Sequence, residues 1–384
     1  MDCRWFIGRT NSRFNNEKTR FNMSETIGNE NPKLGSPWLS PWPESQLESI
    51  SACPVCGSAE RKVLYKNLTD NVFFVAPGKW TLHRCIQCSS AYLSPRPTIE
   101  TINLAYQNYY THNQTKRLPP EDLHGLRWLQ RVLANGYKNW RFGTNLQPSS
   151  ILGVPVAFLM PTNRAKLNRQ FRHLTQPPKG GCLLDVGFGD GSFLENAKSI
   201  GWHVVGVDSD IETVKNARQR GLNVHHGGLE TLIELSNNFD VITLSHVIEH
   251  MHDPIASLRA CHRLLKPGGQ IWLETPNIKS LGHAYFKENW RGLESPRHLV
   301  LFNSESLCKA LVEIGFRGVK YTPQPSPCHG IYTLSQRIKE GNDPHIDSHI
   351  PITLSVEIAV AKFIARLFRS RREFIAMTAL KKEN

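Results

Sequence analysis

Two pairs of cysteines, Cys53-Pro54-Val55-Cys56 and Cys85-Ile86-Gln87-Cys88, are separated by residues 57 to 84. Two such knuckles can bring four thiolates around one ion, and four soft donors in tetrahedral array select zinc. Gly57 follows the first knuckle, where the turn needs a positive φ. With every ligand supplied by protein the site is closed, so its role is structural. The segment is too short to build much core, and metal binding supplies its folding energy. A redox C-x-x-C is the competing reading; two matched pairs outside any βαβ unit weigh against it. Cys3, Cys182, Cys261, Cys308 and Cys328 show no pairing pattern, and Cys182 and Cys261 fall in expected core elements. Nine cysteines, four of them on metal, fit a reducing cytoplasm.

The second chemical feature is Leu183 to Leu194, LLDVGFGDGSFL. A short apolar strand ends in a glycine turn and runs into a helix marked by Phe193, Leu194 and Ala197, with Ser192 as the expected cap. Glycines at every second position strip the turn of side chains, so a bulky ligand can lie on bare backbone. The helix start adds unpaired N–H groups and a partial positive charge. Gly201 to Asp208 is a second apolar strand ending on a carboxylate, where doubly wound folds bind ribose hydroxyls. Phe239–His246 and Gln270–Thr275 are further strands, the latter after a helix end at Leu264-Leu265-Lys266-Pro267-Gly268-Gly269. This alternation predicts a parallel sheet covered on both faces. A nicotinamide dehydrogenase would carry G-x-G-x-x-G; the turn here is G-x-G-x-G.

On DVGFGDG at Asp185–Gly191, the acidic end at Asp208, FDVITLSHVIEH at Phe239–His250 and LLKPGG at Leu264–Gly269, the chain resembles the class I S-adenosylmethionine-dependent methyltransferases. The resemblance implies an α/β fold: a Rossmann-like seven-stranded sheet with helices on both faces, its last strand antiparallel. It implies that Gly187, Gly189 and Gly191 face the methionine and ribose part of S-adenosylmethionine. Asp208, with Ser209, would meet the ribose hydroxyls. Leu229 and Glu230 would flank the adenine, and Ser245 and His246 would border the sulfonium. Asp185 would fix the turn or reach the cofactor amino group through water. Phe188 stands where family members carry a small residue; it either narrows the pocket or packs under the loop. The knuckles and Tyr92–Thr98 look like the amino-terminal module of bacterial sugar C-methyltransferases and their relatives.

Methyl transfer from a sulfonium asks the protein to align a nucleophile and remove its proton. Alignment is the larger effect, and a base adds about 10²–10⁴-fold. His246, His250, His252 and His298 are the histidines to weigh. Glu249-His250 is expected to begin a helix, facing the pocket or orienting the loop, and His252 to cap or pair near Asp253. Asp240 is a strand-edge residue. Trp290–Phe302 follows the fifth strand, where loops form the substrate mouth. In the sugar C-methyltransferases a similar insert carries a catalytic histidine in a pattern resembling E-H-x-x-Y-F-S. Here the stretch is R-H-L-V-L-F-N; Arg297 and Leu301 depart from it, which argues against ketosugar C-methylation while His298 is retained. The alternative for His298 is a lid histidine bonded to backbone. Arg297 would grip a phosphate or carboxylate bidentately or pair with Glu294.

These residues need elements to hold them. Residues 1–50 form an expected disordered basic tail with Met23 as an alternative start, 51–97 a zinc-binding module, 98–175 a helical bridge and 176–384 the methyltransferase domain. The bridge holds Asn108-Tyr109-Tyr110 and an apolar helix over Leu126–Leu133. Ile151–Met160, between prolines, is expected to be buried or substrate-facing, and is too short to span a membrane. The start lacks the pattern of a secretory signal. Pro323–Pro351 is expected to be a long loop and Glu373–Leu380 a closing strand. Leu354–Phe368 is an expected amphipathic helix whose apolar face holds Val356, Val360, Phe363, Ile364 and Leu367; it packs on the sheet or, through residues 354–372, makes peripheral membrane contact. The net charge of +13 suits an anionic small molecule or RNA. Three functions are in view: a methyltransferase for a sugar, nucleotide-sugar or lipid-linked intermediate, an RNA-modifying methyltransferase docking through the zinc module and tails, and a non-catalytic cofactor-binding scaffold.

Overall fold

Short strands between turn residues build the amino-terminal region. The computed structural model describes residues 40–106, 124–232, 234–322, 327–344 and 352–383. Its first strands are β1 (Leu47–Glu48), β2 (Arg61–Leu68), β3 (Trp80–Cys85), β4 (Ala91–Leu93) and β5 (Arg96–Pro97). β2, β3 and β4 form an antiparallel meander, and β1 pairs with β5. Most of the expected tail, Asn108-Tyr109-Tyr110 and Cys3 lie outside the described residues.

Three helices follow: α1 (Gly125–Phe142), α2 (Gly153–Leu159) and α3 (Pro161–Arg169). α1 and α2 meet backbone to backbone at two glycines. A Cβ on Gly136 would fall 1.7 Å from the Ser150 carbonyl, and one on Gly153 would fall 1.8 Å from that of Leu133. Small residues make this contact, so Ile151, Leu152, Phe158, Leu159 and Met160 are left exposed. The expectation that Ile151–Met160 is buried fails for that reason.

The central alternation is β6 (Cys182–Val186), α4 (Ser192–Ser199), β7 (His203–Asp208), α5 (Ile211–Gln219), β8 (Val224–His226), β9 (Phe239–Ser245), α6 (Pro254–Leu264) and β10 (Leu265–Pro276). β6 is buried at all its positions, as a strand covered on both faces must be. The chain continues with α7 (Leu281–Phe286), β11 (Val300–Leu301), α8 (Ser304–Ile314), β12 (Phe316–Tyr321), α9 (Cys328–Lys339), α10 (Ile352–Leu367) and β13 (Phe374–Lys381). The seven-stranded sheet has the order β12-β13-β10-β9-β6-β7-β8. Strands β6 to β10 run parallel, and β13 lies antiparallel to β10 and β12. This is the Rossmann-like sheet expected, with the closing strand one residue later than read from sequence.

Local details differ from expectation. α4 is capped by Gly191, not Ser192; the cap has φ +73°, which favours glycine, and the Asp190 carboxylate accepts the Ser192 N–H at 3.0 Å. Ile248–His250 is a single 3-10 turn, and α6 begins at Pro254, where a missing N–H costs nothing and Asp253 accepts from Ala256. α9 occupies part of the expected loop over Pro323–Pro351, whose residues 323–326 and 345–351 lie outside the described residues. On α10, the residues packed inward are Leu354, Ile358, Ala361 and Ala365. Val356, Val360, Phe363 and Leu367, on the opposite side, are exposed. The apolar face read from sequence is thus largely the solvent face, because the helix carries two apolar stripes.

β11 joins β4 antiparallel, Val300 opposite Tyr92 and Leu301 opposite Ala91. The four-stranded sheet β11-β4-β3-β2 therefore joins segments far apart in the chain. A single apolar cluster runs from Trp80, Leu82 and Leu93 through Leu299 and Leu301 to Leu244 and Ile271. The cysteine-bearing strands are built onto the large sheet.

Candidate active site and metal centre

Loops at the carboxyl ends of β6, β7, β9 and β10 converge on one edge of the sheet, beside the switch point where the chain crosses from β6 to β7 on one side and to β9 on the other. Gly187, Gly189 and Gly191 have φ of +64°, +56° and +73°, a region other residues enter at a cost. A Cβ on Gly187 would strike Val247 at 2.5 Å and one on Gly191 would meet Arg220 at 2.8 Å. One on Gly189 meets nothing within 4 Å, so its backbone faces open space. Phe188 is buried beneath the loop, its ring against Gly206, where a Cβ would come within 2.7 Å. It packs under the loop.

Asp208 ends β7, with Oδ2 accepting the Gly189 N–H and Oδ1 the Asp210 N–H, each at 3.0 Å. Ser209 beside it is exposed. Leu229 is buried, and Glu230 accepts the Gly228 N–H at 2.8 Å. Asp185 is fully buried; Oδ1 takes the Thr243 hydroxyl at 2.8 Å and pairs with Arg172, while Oδ2 has no partner. Burial raises its pKa against the pull of Arg172. Arg172 also stacks over Phe193 with its guanidinium carbon 3.8 Å from the ring centroid. This donor set fits S-adenosylmethionine. Bare backbone at Gly189 admits a ligand, the Asp208 carboxylate beside it is the acceptor type that ribose hydroxyls need, and the orphaned Asp185 Oδ2 suits an ammonium group.

Ser245 ends β9 half-buried, and His246 follows at φ +55°. His246 lies between two buried carboxylates, Nε2 to Glu274 at 3.1 Å and Nδ1 to Glu249 at 3.3 Å. Burial pulls its pKa down, but the bonds and charges of Glu249 and Glu274 outweigh that and raise it to about 9. His246 is thus an imidazolium at neutral pH, held in place by two anions. Glu274, paired also with Arg169, is held down at about 2 by those cations in spite of burial.

Glu249, His250 and His298 each bring one atom within 4.8 Å of the others. The His250 Nδ1 lies 2.9 Å from the Arg297 carbonyl and the His298 Nδ1 lies 2.8 Å from that of Gly292. The Tyr106 hydroxyl also lies 2.9 Å from the His250 Nδ1. A carbonyl only accepts, so the His298 Nδ1 carries hydrogen, and its Nε2 faces the Glu294 carboxylate at 3.7 Å. His298 is 5% exposed, and burial holds its pKa down at about 4 in spite of Glu294 and Glu249. The Glu249 Oε2 accepts the Thr275 hydroxyl at 2.9 Å. Other sequence expectations are corrected. Arg297 is fully buried in a bidentate pair with Asp70 and is not exposed to a ligand, while the Glu294 carboxylate meets Arg291 and also feels the charge of Arg297. His252 neither caps nor pairs with Asp253: its Nε2 lies 3.0 Å from the Pro97 carbonyl, tying α6 to the amino-terminal strands. Asp240 is, as expected, a residue of the strand's margin: it sits at the start of β9, bonded to the Cys182 N–H and Lys266. Arg169, Arg172, Glu274 and Asp70 were missed, since no motif marks them and only folding brings them to their partners.

The four thiols come together as expected. Cys53 and Cys88 Sγ are 3.6 Å apart and Cys56 and Cys85 Sγ are 3.5 Å apart. Four sulfurs about 2.3 Å from one zinc ion stand roughly 3.8 Å from each other, so the cage fits. Gly57 at φ +74° and Ser89 at φ +60° close the two knuckles, their N–H groups donating to the Cys53 and Cys85 carbonyls.

Residues 160–321 match the family model described as a methyltransferase domain. A ubiquinone biosynthesis O-methyltransferase of Xanthomonas oryzae is 40% identical over 105 residues, 26% of this chain and 44% of that protein. A protein of the same name from Pseudomonas paraeruginosa is 37% identical over 105 residues, 26% of this chain and 45% of its own. The chain therefore spans less than half the length of these relatives. A methyltransferase structure from Archaeoglobus fulgidus is similar at 22% identity and TM-score 0.39, over 58% of this chain and 94% of that one. Residues 160–321 are thus similar to a methyltransferase domain, and the seven-stranded sheet they help to build has the topology that the sequence resemblance implied.

Proposed function

We propose that this chain transfers a methyl group from S-adenosylmethionine to an oxygen of a small-molecule acceptor, a sugar, nucleotide-sugar or lipid-linked intermediate. The observation that carries the reading is the joint placement of the open Gly189 backbone, Asp208 and the unpaired Asp185 oxygen at the switch point. Relatives named for O-methylation in ubiquinone biosynthesis support an oxygen on a small molecule.

When bound, S-adenosylmethionine supplies a methyl group already activated by its sulfonium. Asp208 and Ser209 would hold the ribose, Leu229 and Glu230 would flank the adenine, and Ser245 and His246 would border the methyl side. Fixed between Glu249 and Glu274, His246 keeps its charge and cannot accept a proton near neutral pH. His298, with His250 and Glu249 beside it, would accept the proton that leaves the attacking hydroxyl. Cys53, Cys56, Cys85 and Cys88 would bind structural zinc. The exposed stripe on α10 supports peripheral membrane contact through residues 354–372.

Calorimetry of the purified full chain with S-adenosylmethionine tests the cofactor, and Asp208→Ala should abolish saturable binding. A screen of labelled S-adenosylmethionine against cellular extract should then yield a product heavier by one methylene. Binding unchanged by Asp208→Ala would overturn this assignment of the site.

A further inference from the structure

The residues from 124 to 174 contain no Asp or Glu. They do contain eight Lys and Arg residues: Arg127, Arg131, Lys138, Arg141, Arg164 and Lys166, with Arg169 and Arg172 bound to Glu274 and Asp185. On the same helices stand large apolar side chains that packing leaves exposed, among them Leu126 at 69%, Trp128, Leu129, Trp140, Phe158 and Leu159 at 82%. The close backbone contact of α1 with α2 explains this. Two glycines seat the hairpin, and the bulky residues gain nothing from it.

We propose that the α1–α3 hairpin docks the enzyme on an anionic phospholipid surface. Three physical features select that occupant. A run of cations without a carboxylate is complementary to anionic headgroups, and such attraction is felt near the bilayer surface. Tryptophans with leucines and a phenylalanine suit the boundary between headgroups and acyl chains. The arrangement also orients the molecule. Arg169 and Arg172 fix the end of this segment to the carboxyl edge of the sheet, through Glu274 and Asp185. The exposed stripe of α10 leads towards the same edge, since Phe374 at the start of β13 packs against His246 with ring centroids 4.6 Å apart. A lipid surface meeting α1–α3 would thus lie beside the candidate active site.

The test is co-sedimentation of the full chain with vesicles of phosphatidylcholine alone and of equimolar phosphatidylcholine and phosphatidylglycerol. Binding to the anionic vesicles alone is expected, weakening as salt is raised. Leu152→Asp with Leu159→Asp should weaken it by about tenfold or more, since two exposed leucines lose their burial in lipid. Arg127→Gln with Arg131→Gln and Arg141→Gln should weaken it similarly, and S-adenosylmethionine calorimetry shows that both variants are folded. Equal binding of variants and wild type, or equal binding to neutral vesicles, overturns the proposal. So does a dimer in ultracentrifugation that Leu159→Asp dissociates, which makes the face a contact between copies. Binding to single-stranded RNA without vesicle binding overturns it too. Vesicle binding that persists in a chain unable to bind S-adenosylmethionine would sink the catalytic reading and leave this one standing.

Discussion

Arg297 and Asp70, 227 positions apart in the chain, form a bidentate ion pair with both side chains fully buried. The guanidinium also donates Nε to the Ala105 carbonyl and lies over the Phe73 ring. The Asp70 carboxylate accepts three backbone N–H groups, from Phe73, Val75 and Ala76. Burial opposes its charge, but Arg297 and those N–H bonds prevail and lower its pKa. Arg297 adjoins His298, so the pair ties the candidate base to the cysteine-bearing strands.

Removing one member leaves a buried charge without its partner, which typically costs about 3–5 kcal/mol. Arg297→Met should therefore lower the urea midpoint strongly, while Arg297→Met with Asp70→Leu should recover much of the loss. A single variant as stable as wild type would mean that the pair does not hold this segment in place.

Turnover should fall by about 10²–10⁴-fold in His298→Ala if its Nε2 takes the proton, with S-adenosylmethionine affinity unchanged. His298→Gln would keep a donor to the Gly292 carbonyl and should stay folded. Full activity in both would remove His298 from the chemistry and leave it as a lid residue.

Stability should peak near the ordinary histidine pKa and fall on either side. His298 and His283 have folded values of about 4, below the usual 6.5, so the unfolded chain binds more protons and stability is lost as pH falls from 6.5 through 4. His246 has a folded value of about 9, so its contribution is present below 6.5 and is lost as pH rises through 9. In denaturation measured across this range, His246→Gln should flatten the alkaline arm and spare the acid one. An unaltered alkaline arm would refute the imidazolium.

Gly187→Ala and Gly189→Ala separate fold from binding. Both place a side chain at positive φ, but only the first also strikes Val247. Gly189→Ala should melt modestly lower and lose S-adenosylmethionine affinity, whereas Gly187→Ala, strained and also clashing, should melt lower still. Equal affinity of Gly189→Ala and wild type would show that no ligand lies on that backbone.

Cys56→Ser should lower bound zinc in elemental analysis and expose β2–β4 to proteolysis. Because β11 is the fourth strand of that sheet, turnover should fall as well, although no cysteine lies at the cofactor loop. Retained activity with no zinc would show that the strands hold without the metal.

Much of this protein is local and was therefore legible. The glycine turn, Asp208 at a strand end and each C-x-x-C knuckle depend on residues a few positions apart, so type and spacing determine their chemistry. Even there, the choice of Gly191 over Ser192 as cap depended on a φ that sequence does not display. What joins distant segments was decided by tertiary structure alone. Arg297 reads as a ligand-binding arginine until folding delivers Asp70 to it. His246 reads as one histidine among four until two buried carboxylates charge it. The apolar segment Ile151–Met160 reads as buried or substrate-facing and one stripe of α10 as its packing or membrane face, since periodicity counts apolar positions and cannot tell which stripe the rest of the chain will cover. Burial is a property of the whole packing: glycines seat α1 against α2, Leu354, Ile358, Ala361 and Ala365 seat α10, and a second set of large apolar side chains on each is left facing out.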